Sequence, residues 1–391
     1  MYKGTMYKVQ RTILLVAVWL CVLPTEARKR TPYIIPTRNH PSVTVNEDST
    51  ISFCYCGRGK QVYVQGDFQY AGKDSIRYSD SHMRKIKMHR ESDGCFHLTT
   101  LPIQPETYTY CFHINGKRKT DSYNNDTAWQ MIHKWNIVTV GGTPQADLYL
   151  SPQKKGQLIQ TKWYDRTEQI NRRVNIYLPA AYAERPSDEY PVLYLLHGIN
   201  GYEGSWTERG RAIQIIENLI AADSIAPLIV VMPDCNTGVH EDRPSHHTLW
   251  NNVWHYHRLC QDHSLELALE DLMQYVDTTY HTSGQHYIAG FSSGARIAAN
   301  IVNRYPERFQ AVGLFSPVVY KEQMPQLSMS NNKSPISYHI YMGKSDMFIN
   351  NGRRFHKRLT KSGIAHNYME TPGGHTWRNW RIYLTDFLLN L

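Results

Sequence analysis

Along the 391 residues the spacing of apolar positions changes once. From residue 41 to about residue 140 apolar and polar side chains alternate, as in Gln61-Val62-Tyr63-Val64-Gln65, Phe96-His97-Leu98-Thr99 and the longer run Thr107 to Ile114. Alternation puts one face of a strand on a core and the other in solvent. Asn115-Gly116, directly after the third run, supplies the two residues of a tight hairpin turn, so this region is predicted to be an antiparallel β-sandwich. Beyond about residue 146, continuous apolar runs replace the alternation: Val192 to Leu196, Leu228 to Met232, Tyr287 to Ala289, Ala311 to Phe315 and Tyr338 to Met342. Helical patterns separate them. In one, Leu265, Ala268, Leu269, Leu272 and Val276 form a single apolar stripe. Buried strands alternating with amphipathic helices predict a mostly parallel, doubly wound sheet with helices on both faces. The segment Gly141-Gly142-Thr143-Pro144 reads as a linker, giving an all-β domain over 41–140 and an α/β domain over 146–391.

The N-terminus fits neither domain. Lys3, Lys8 and Arg11 precede the apolar run Ile13 to Leu23, followed by Pro24-Thr25-Glu26-Ala27. This is the pattern of a secretory signal peptide over 1–27 with cleavage after Ala27, and the run is short for a permanent span. An uncleaved anchor is the alternative; lipidation at Cys21 is disfavoured because Leu20 stands where a small residue is wanted. The expectation is an exported protein, periplasmic or extracellular, with no membrane attachment after cleavage. Six cysteines remain, Cys54, Cys56, Cys95, Cys111, Cys235 and Cys260. An exported chain tolerates disulfides, and the four early cysteines admit three pairings that sequence leaves open, beside the option of free thiols. Of the net charge of +9, residues 28–145 carry sixteen basic and ten acidic side chains, whereas 146–391 are nearly balanced. A basic front half suits an acidic glycan or an ordinary solvated surface. No nucleic-acid motif accompanies it, and no nucleic-acid partner is expected.

The chemistry centres on Gly290-Phe291-Ser292-Ser293-Gly294, which follows an apolar run and leads into the small-residue helical pattern Ala295 to Val302. A serine on a sharp strand-to-helix turn projects away from both elements, and glycine two positions to either side gives the backbone room. A hydroxyl is a poor nucleophile at neutral pH, so Ser292 needs a base, a group that orients the base, and donors for the oxyanion. Downstream, the run ending at Met342 enters Gly343-Lys344-Ser345-Asp346, and Pro372-Gly373-Gly374-His375 presents an imidazole beside glycines. Asp346 is therefore the candidate acid, with Glu370 as a weaker rival, and His375 the candidate base. The backbone N–H groups of Ser293 and of Ile199, in the loop Leu195-Leu196-His197-Gly198-Ile199, are the candidate oxyanion donors. His197 reads as a structural residue of that loop.

Several stretches carry a resemblance: Arg173 to Pro179, Tyr190 to Gly198, Val230 to Asp234 and Tyr305 to Phe309, together with the three catalytic turns. They are similar to the esterase D-like family of the α/β-hydrolase fold, which includes feruloyl and acetyl-xylan esterases, enterochelin esterases and mycolyltransferases. The front domain resembles the early-set immunoglobulin-like domains that precede glycogen-branching enzymes and many secreted esterases, on Val64 to Phe68, Asp93 to Phe96, Tyr108 to Tyr110 and Asn115 to Lys117. The resemblance implies a serine carboxylesterase with Ser292, Asp346 and His375 as its triad and no cofactor. Ser293 departs from the family, where methionine is common. The implied substrate is an ester-decorated polysaccharide or oligosaccharide of the plant cell wall, releasing feruloyl or acetyl groups. Siderophore ester hydrolysis is the alternative enzyme reading, and a glycan-binding protein with a degenerate hydrolase domain the non-enzymatic one.

Residues 234–264 form a long polar and aromatic insert containing His246, His247, Trp250, Trp254, His255 and His257. A loop of this length in a compact domain is usually functional, and it reads as a substrate cover. No metal is expected, since the histidines lack accompanying carboxylates. Trp206, Trp250, Trp254 and Trp377 are candidate substrate-binding rings. In the front domain, Tyr123, Trp129 and Trp135 are candidate stacking faces for sugars. Oligomeric state is not legible.

Overall fold

The computed structural model describes residues 41–72, 83–130, 132–236, 264–318 and 336–391. The signal segment 1–27, Cys260 and the insert residues Trp250, Trp254, His246, His247, His255 and His257 lie outside the described residues. Among the described residues no helix is long and apolar enough to cross a membrane.

The alternating region forms strands β1 (Val43–Val45), β2 (Ile51–Tyr55), β3 (Val62–Gly66), β4 (Ile86–Lys87), β5 (His89–Arg90), β6 (Phe96–Thr99), β7 (Glu106–Ile114), β8 (Lys117–Lys119), β9 (Thr127–Gln130) and β10 (His133–Val140). They make two sheets, ordered β1-β2-β6-β5 and β4-β3-β7-β10-β9, with β8 paired to β7. Ile51, Phe53 and Phe96 from the first sheet and Val62, Val64, Tyr110 and Phe112 from the second share one buried core. The turn between β7 and β8 is the two-residue hairpin expected from the sequence: Ile114 pairs with Lys117, and Asn115 and Gly116 both adopt positive φ. Among the early cysteines, Cys56 is joined to Cys95, while Cys54 is a free thiol.

The second half builds one eight-stranded sheet from β11 (Gln157–Asp165), β12 (Ile170–Leu178), β13 (Tyr190–Leu196), β14 (Ile229–Pro233), β15 (Thr282–Phe291), β16 (Ala311–Phe315), β17 (Ser337–Gly343) and β18 (His366–Thr371). Its spatial order is β11-β12-β14-β13-β15-β16-β17-β18. The strands from β14 onward in that order run parallel, whereas β11 and β12 form an antiparallel edge. One face packs against helices Ser264–Thr279, Ser293–Arg304 and Ile349–Lys361 through residues such as Leu269, Leu272, Ile301 and Phe355. The other packs against Ala212–Ala221 and Trp377–Leu389 through Ile215, Leu219, Tyr383 and Phe387. Covering both faces is what makes continuous apolar strands stable in water.

The segment expected to be a linker is docked instead. Gly142 donates its N–H to the Asp147 carboxylate at 2.7 Å, Thr143 caps the helical turn Pro144–Asp147, and Ala146 and Tyr149 are buried. Polar contacts join the two halves. Arg381 donates to Glu106 at 2.8 Å, Arg211 to both carboxylate oxygens of Asp126 at 2.9 Å, and the Trp129 N–H to Glu208 at 2.8 Å.

This packing changes the reading of the front-domain rings. Trp135 is 1% exposed and lies under the Arg118 guanidinium, 4.3 Å from its centroid, so it cannot offer a face to a sugar. Trp129 belongs to a strand bonded to the other half through Glu208. Only Tyr123, of the three, is strongly exposed.

Candidate active site

Ser292 stands between β15 and helix Ser293–Arg304 with φ 57° and ψ −120°, a positive-φ conformation that costs a non-glycine residue on the order of 1–3 kcal/mol. Neighbouring structure holds it there. The Ser292 N–H donates to the Phe315 carbonyl at 2.9 Å, and the two flanking glycines let other backbone approach. A Cβ on Gly294 would collide with the His197 carbonyl oxygen, and one on Gly290 would sit 2.7 Å from the Gly294 carbonyl carbon. The glycine pattern therefore presses the elbow against the loop after β13.

That loop carries the Ile199 amide. His197 is buried, and main-chain groups use both ring nitrogens: Nδ1 lies 2.7 Å from the Gly198 carbonyl, and Nε2 accepts the Cys235 N–H at 2.8 Å. The ring ties the loop after β13 to the one after β14, a structural task. Ser293 opens its helix, so its N–H has no intrahelical acceptor.

Asp346 follows β17 and His375 follows β18, adjacent parallel strands. Their turns are laced together by Lys344 N–H to Thr371 carbonyl and Ser345 N–H to Gly373 carbonyl, each 2.8 Å. A Cβ on Gly343 would lie 2.5 Å from the Gly373 carbonyl oxygen, so glycine at 343 permits the approach. His375 Nδ1 is 3.0 Å from Asp346 Oδ2. With Nδ1–H donating to the carboxylate, Nε2 is left as a base. Burial would raise the Asp346 carboxyl, but hydrogen bonds from His375, the Phe348 N–H and Ser316, together with the His375 charge, hold it below its ordinary value. The Phe348 bond is 2.8 Å.

Ser292, at the same carboxyl edge, is linked to this pair through aromatic rings. Phe291 stacks on Trp380 at 4.0 Å, and Trp380 meets the His375 ring edge-on at 5.0 Å. Among the described residues no hydrogen bond joins the Ser292 hydroxyl to His375; such bonds commonly tighten when substrate binds. Glu370 is removed as a rival acid. Arg353 grips it with two bonds of 2.7 and 2.8 Å, and these, with the Tyr368 hydroxyl, pull its carboxyl down to about 2.

Trp206 requires a correction. It is 1% exposed, donates its indole N–H to the Leu196 carbonyl at 3.0 Å and packs edge-on against Phe291 and Trp377, so it is a core residue beneath the site. Trp377 is partly exposed and, with His375, lines a cavity of about 220 Å³. Sequence reasoning missed Ser316 and Trp380. Ser316 follows β16 with φ 49°, bonds Asp346 and accepts the Trp380 indole N–H at 3.2 Å. No motif marks either one.

The family described as "Putative esterase" matches residues 167–391, more than half of the sequence. The chain belongs to this esterase family. Its fold is that of an α/β hydrolase. The chain is 30% identical over 244 residues to an endo-1,4-beta-xylanase/feruloyl esterase of Xylanibacter ruminicola, a match covering 60% of this chain and 32% of that protein. The chain thus spans about a third of that relative's length, and 54% of an uncharacterized protein of Corynebacterium glutamicum at 23% identity. Among solved structures, a ferulic acid esterase of Anaeromyces mucronatus superposes with a TM-score of 0.51 at 21% identity, over 62% of this chain and 94% of that one. The enterobactin esterase of Shigella flexneri superposes with a TM-score of 0.58 at 16% identity, over 90% and 96%.

Proposed function

We propose that the protein is an exported serine carboxylesterase that removes feruloyl or acetyl groups from plant cell-wall polysaccharide of the xylan type. The carrying observation is the contact of the partly exposed His375 with the buried Asp346 at the edge where the strained Ser292 elbow lies. In this reading Ser292 Oγ attacks the ester carbonyl while His375 Nε2 takes its proton. Asp346 holds the imidazolium, and the N–H groups of Ser293 and Ile199 donate to the oxyanion. His375 then protonates the departing alcohol, and water repeats the attack on the acyl-serine. The chemistry requires no cofactor.

The Xylanibacter relative, whose name joins xylanase and feruloyl esterase, supports the substrate class. A second reading, hydrolysis of a siderophore trilactone of the enterochelin type, is supported by the two-part layout, because the enterobactin esterase aligns with 90% of this chain. The immunoglobulin-like assignment of residues 41–140 belongs to the same proposal.

The test is hydrolysis of methyl ferulate, 4-nitrophenyl acetate and enterobactin by the purified protein and by Ser292→Ala. Ferulate or acetate turnover that disappears in the variant is the expected result. Equal rates from both proteins would overturn the serine mechanism and favour a glycan-binding role, and turnover of enterobactin alone would replace the polysaccharide reading.

A further inference from the structure

The cavity of about 220 Å³ beside His375 is walled by both halves of the molecule. The front half contributes Asp67, Tyr70, Ala71 and Glu106, and the segment after His375 contributes Trp377 and Arg378. We propose that this cavity is the subsite for the alcohol half of the ester, that it takes a neutral sugar ring, and that the front domain is thereby a wall of the substrate site. The proposal rests on the serine-esterase reading with His375 as acid and base.

Proton transfer fixes which half of the substrate lies here. The imidazole must hand its proton to the oxygen of the leaving alcohol, so that oxygen lies within hydrogen-bond reach of His375 and the rest of the alcohol extends outward from it. His375 is part of the cavity wall, whereas the nucleophile Ser292 and the oxyanion donor Ser293 are not among its lining residues. The space therefore adjoins the acid–base side of the site and not the acyl side.

The lining selects the chemistry. Its guanidinium groups face carboxylates: Arg381 and Glu106 at 2.8 Å, Arg378 and Glu106 at 3.8 Å, Arg209 and Asp67 at 3.9 Å. Three guanidinium groups against two carboxylates leave a surplus of one positive charge, a weak field for a polyanion, and together these groups present fixed donors and acceptors for hydroxyl groups that do both. Trp377 adds a flat apolar ring, the complement of a pyranose face. A neutral sugar uses the hydroxyl partners and the ring, whereas a multiply charged siderophore would find a single uncompensated guanidinium for its several charges. The front-domain rings expected to stack on sugars are in part buried or engaged with the other half, so a binding role passes from its outer surface to this seam.

The experiment compares kcat/KM for a feruloylated arabino-oligosaccharide with kcat/KM for methyl ferulate, in the full chain, for wild type, Ala71→Trp and Tyr70→Ala. Wild type is expected to prefer the oligosaccharide ester, and filling the cavity with Ala71→Trp to reduce that ratio about tenfold, equivalent to one decade in relative rate. Unesterified oligosaccharide should inhibit methyl ferulate hydrolysis competitively in wild type and more weakly in Ala71→Trp. Tyr70→Ala, which removes bulk, guards against a variant that merely folds poorly. A ratio unchanged in both variants, or a wild type indifferent to the sugar, overturns the subsite while leaving the esterase reading standing. Absence of any ferulate turnover in wild type overturns that reading and the subsite with it.

Discussion

Among the contacts that join the two halves, the buried ion pair of Arg381 with Glu106 is tested by replacing Arg381 with methionine. The Arg381 side chain is 4% exposed and that of Glu106 10%. The guanidinium donates to Glu106 at 2.8 Å and to the Arg209 carbonyl at 2.6 Å, and lies over the Tyr149 ring at 5.2 Å. Methionine keeps the apolar contact with Tyr149 but leaves the Glu106 carboxylate with its own Thr107 N–H at 2.7 Å and the more distant Arg378. Breaking a buried pair by removing one partner costs about 3–5 kcal/mol. Removing the second charge as well, in Arg381→Met with Glu106→Gln, returns about half of that, because what was lost is chiefly the penalty of an unpaired buried charge. Urea unfolding followed by tryptophan fluorescence measures both, and limited proteolysis near residues 141–150 reports whether the halves separate. A single variant within about 1 kcal/mol of wild type, or a double variant that loses the full sum of the two single losses, would refute the claim that this pair is desolvated and coupled.

Asp346→Asn should keep the fold and lower kcat by about 10³–10⁴, since the amide cannot hold the imidazole in the Nδ1–H form or stabilise its cation; a loss below about tenfold in ester assays counts against the pair. Gly294→Ala drives a methyl into the His197 carbonyl oxygen, so thermal unfolding should show about 1–3 kcal/mol of destabilisation, and an unaltered melting temperature contradicts the close approach. Burial pushes the Glu208 carboxyl up to about 7 from 4.5, against bonds from Tyr202 and the Trp129 N–H. Between those values the unfolded chain releases a proton that the folded one keeps, so stability declines as pH rises across this window, by at most about 3 kcal/mol. Glu208→Gln should flatten that decline in urea titrations near about pH 5 and about pH 7; an unchanged slope assigns it elsewhere.

Local pattern alone specified much of this molecule. Period-two alternation marked the strands of the front half, and continuous apolar runs marked β13 to β17, because each pattern is a direct record of which faces meet a core. The glycines at 290 and 294 announced the elbow, and chain order pointed to Asp346 and His375. What sequence could not supply were relations between distant residues. Glu370 stays a weaker rival to Asp346 until Arg353 is seen gripping the first and His375 lying against the second. Trp206 and Trp377 are alike in sequence, yet one is sealed beneath the sheet edge and the other lines a cavity. Ser316 and Trp380 acquire their places only when β16 and the last helix converge on the carboxyl edge. The docking of the front half, through Arg381, Arg211 and Glu208, likewise has no local signature. Burial and charge pairing across hundreds of residues are properties of packing, and only the folded chain decides them.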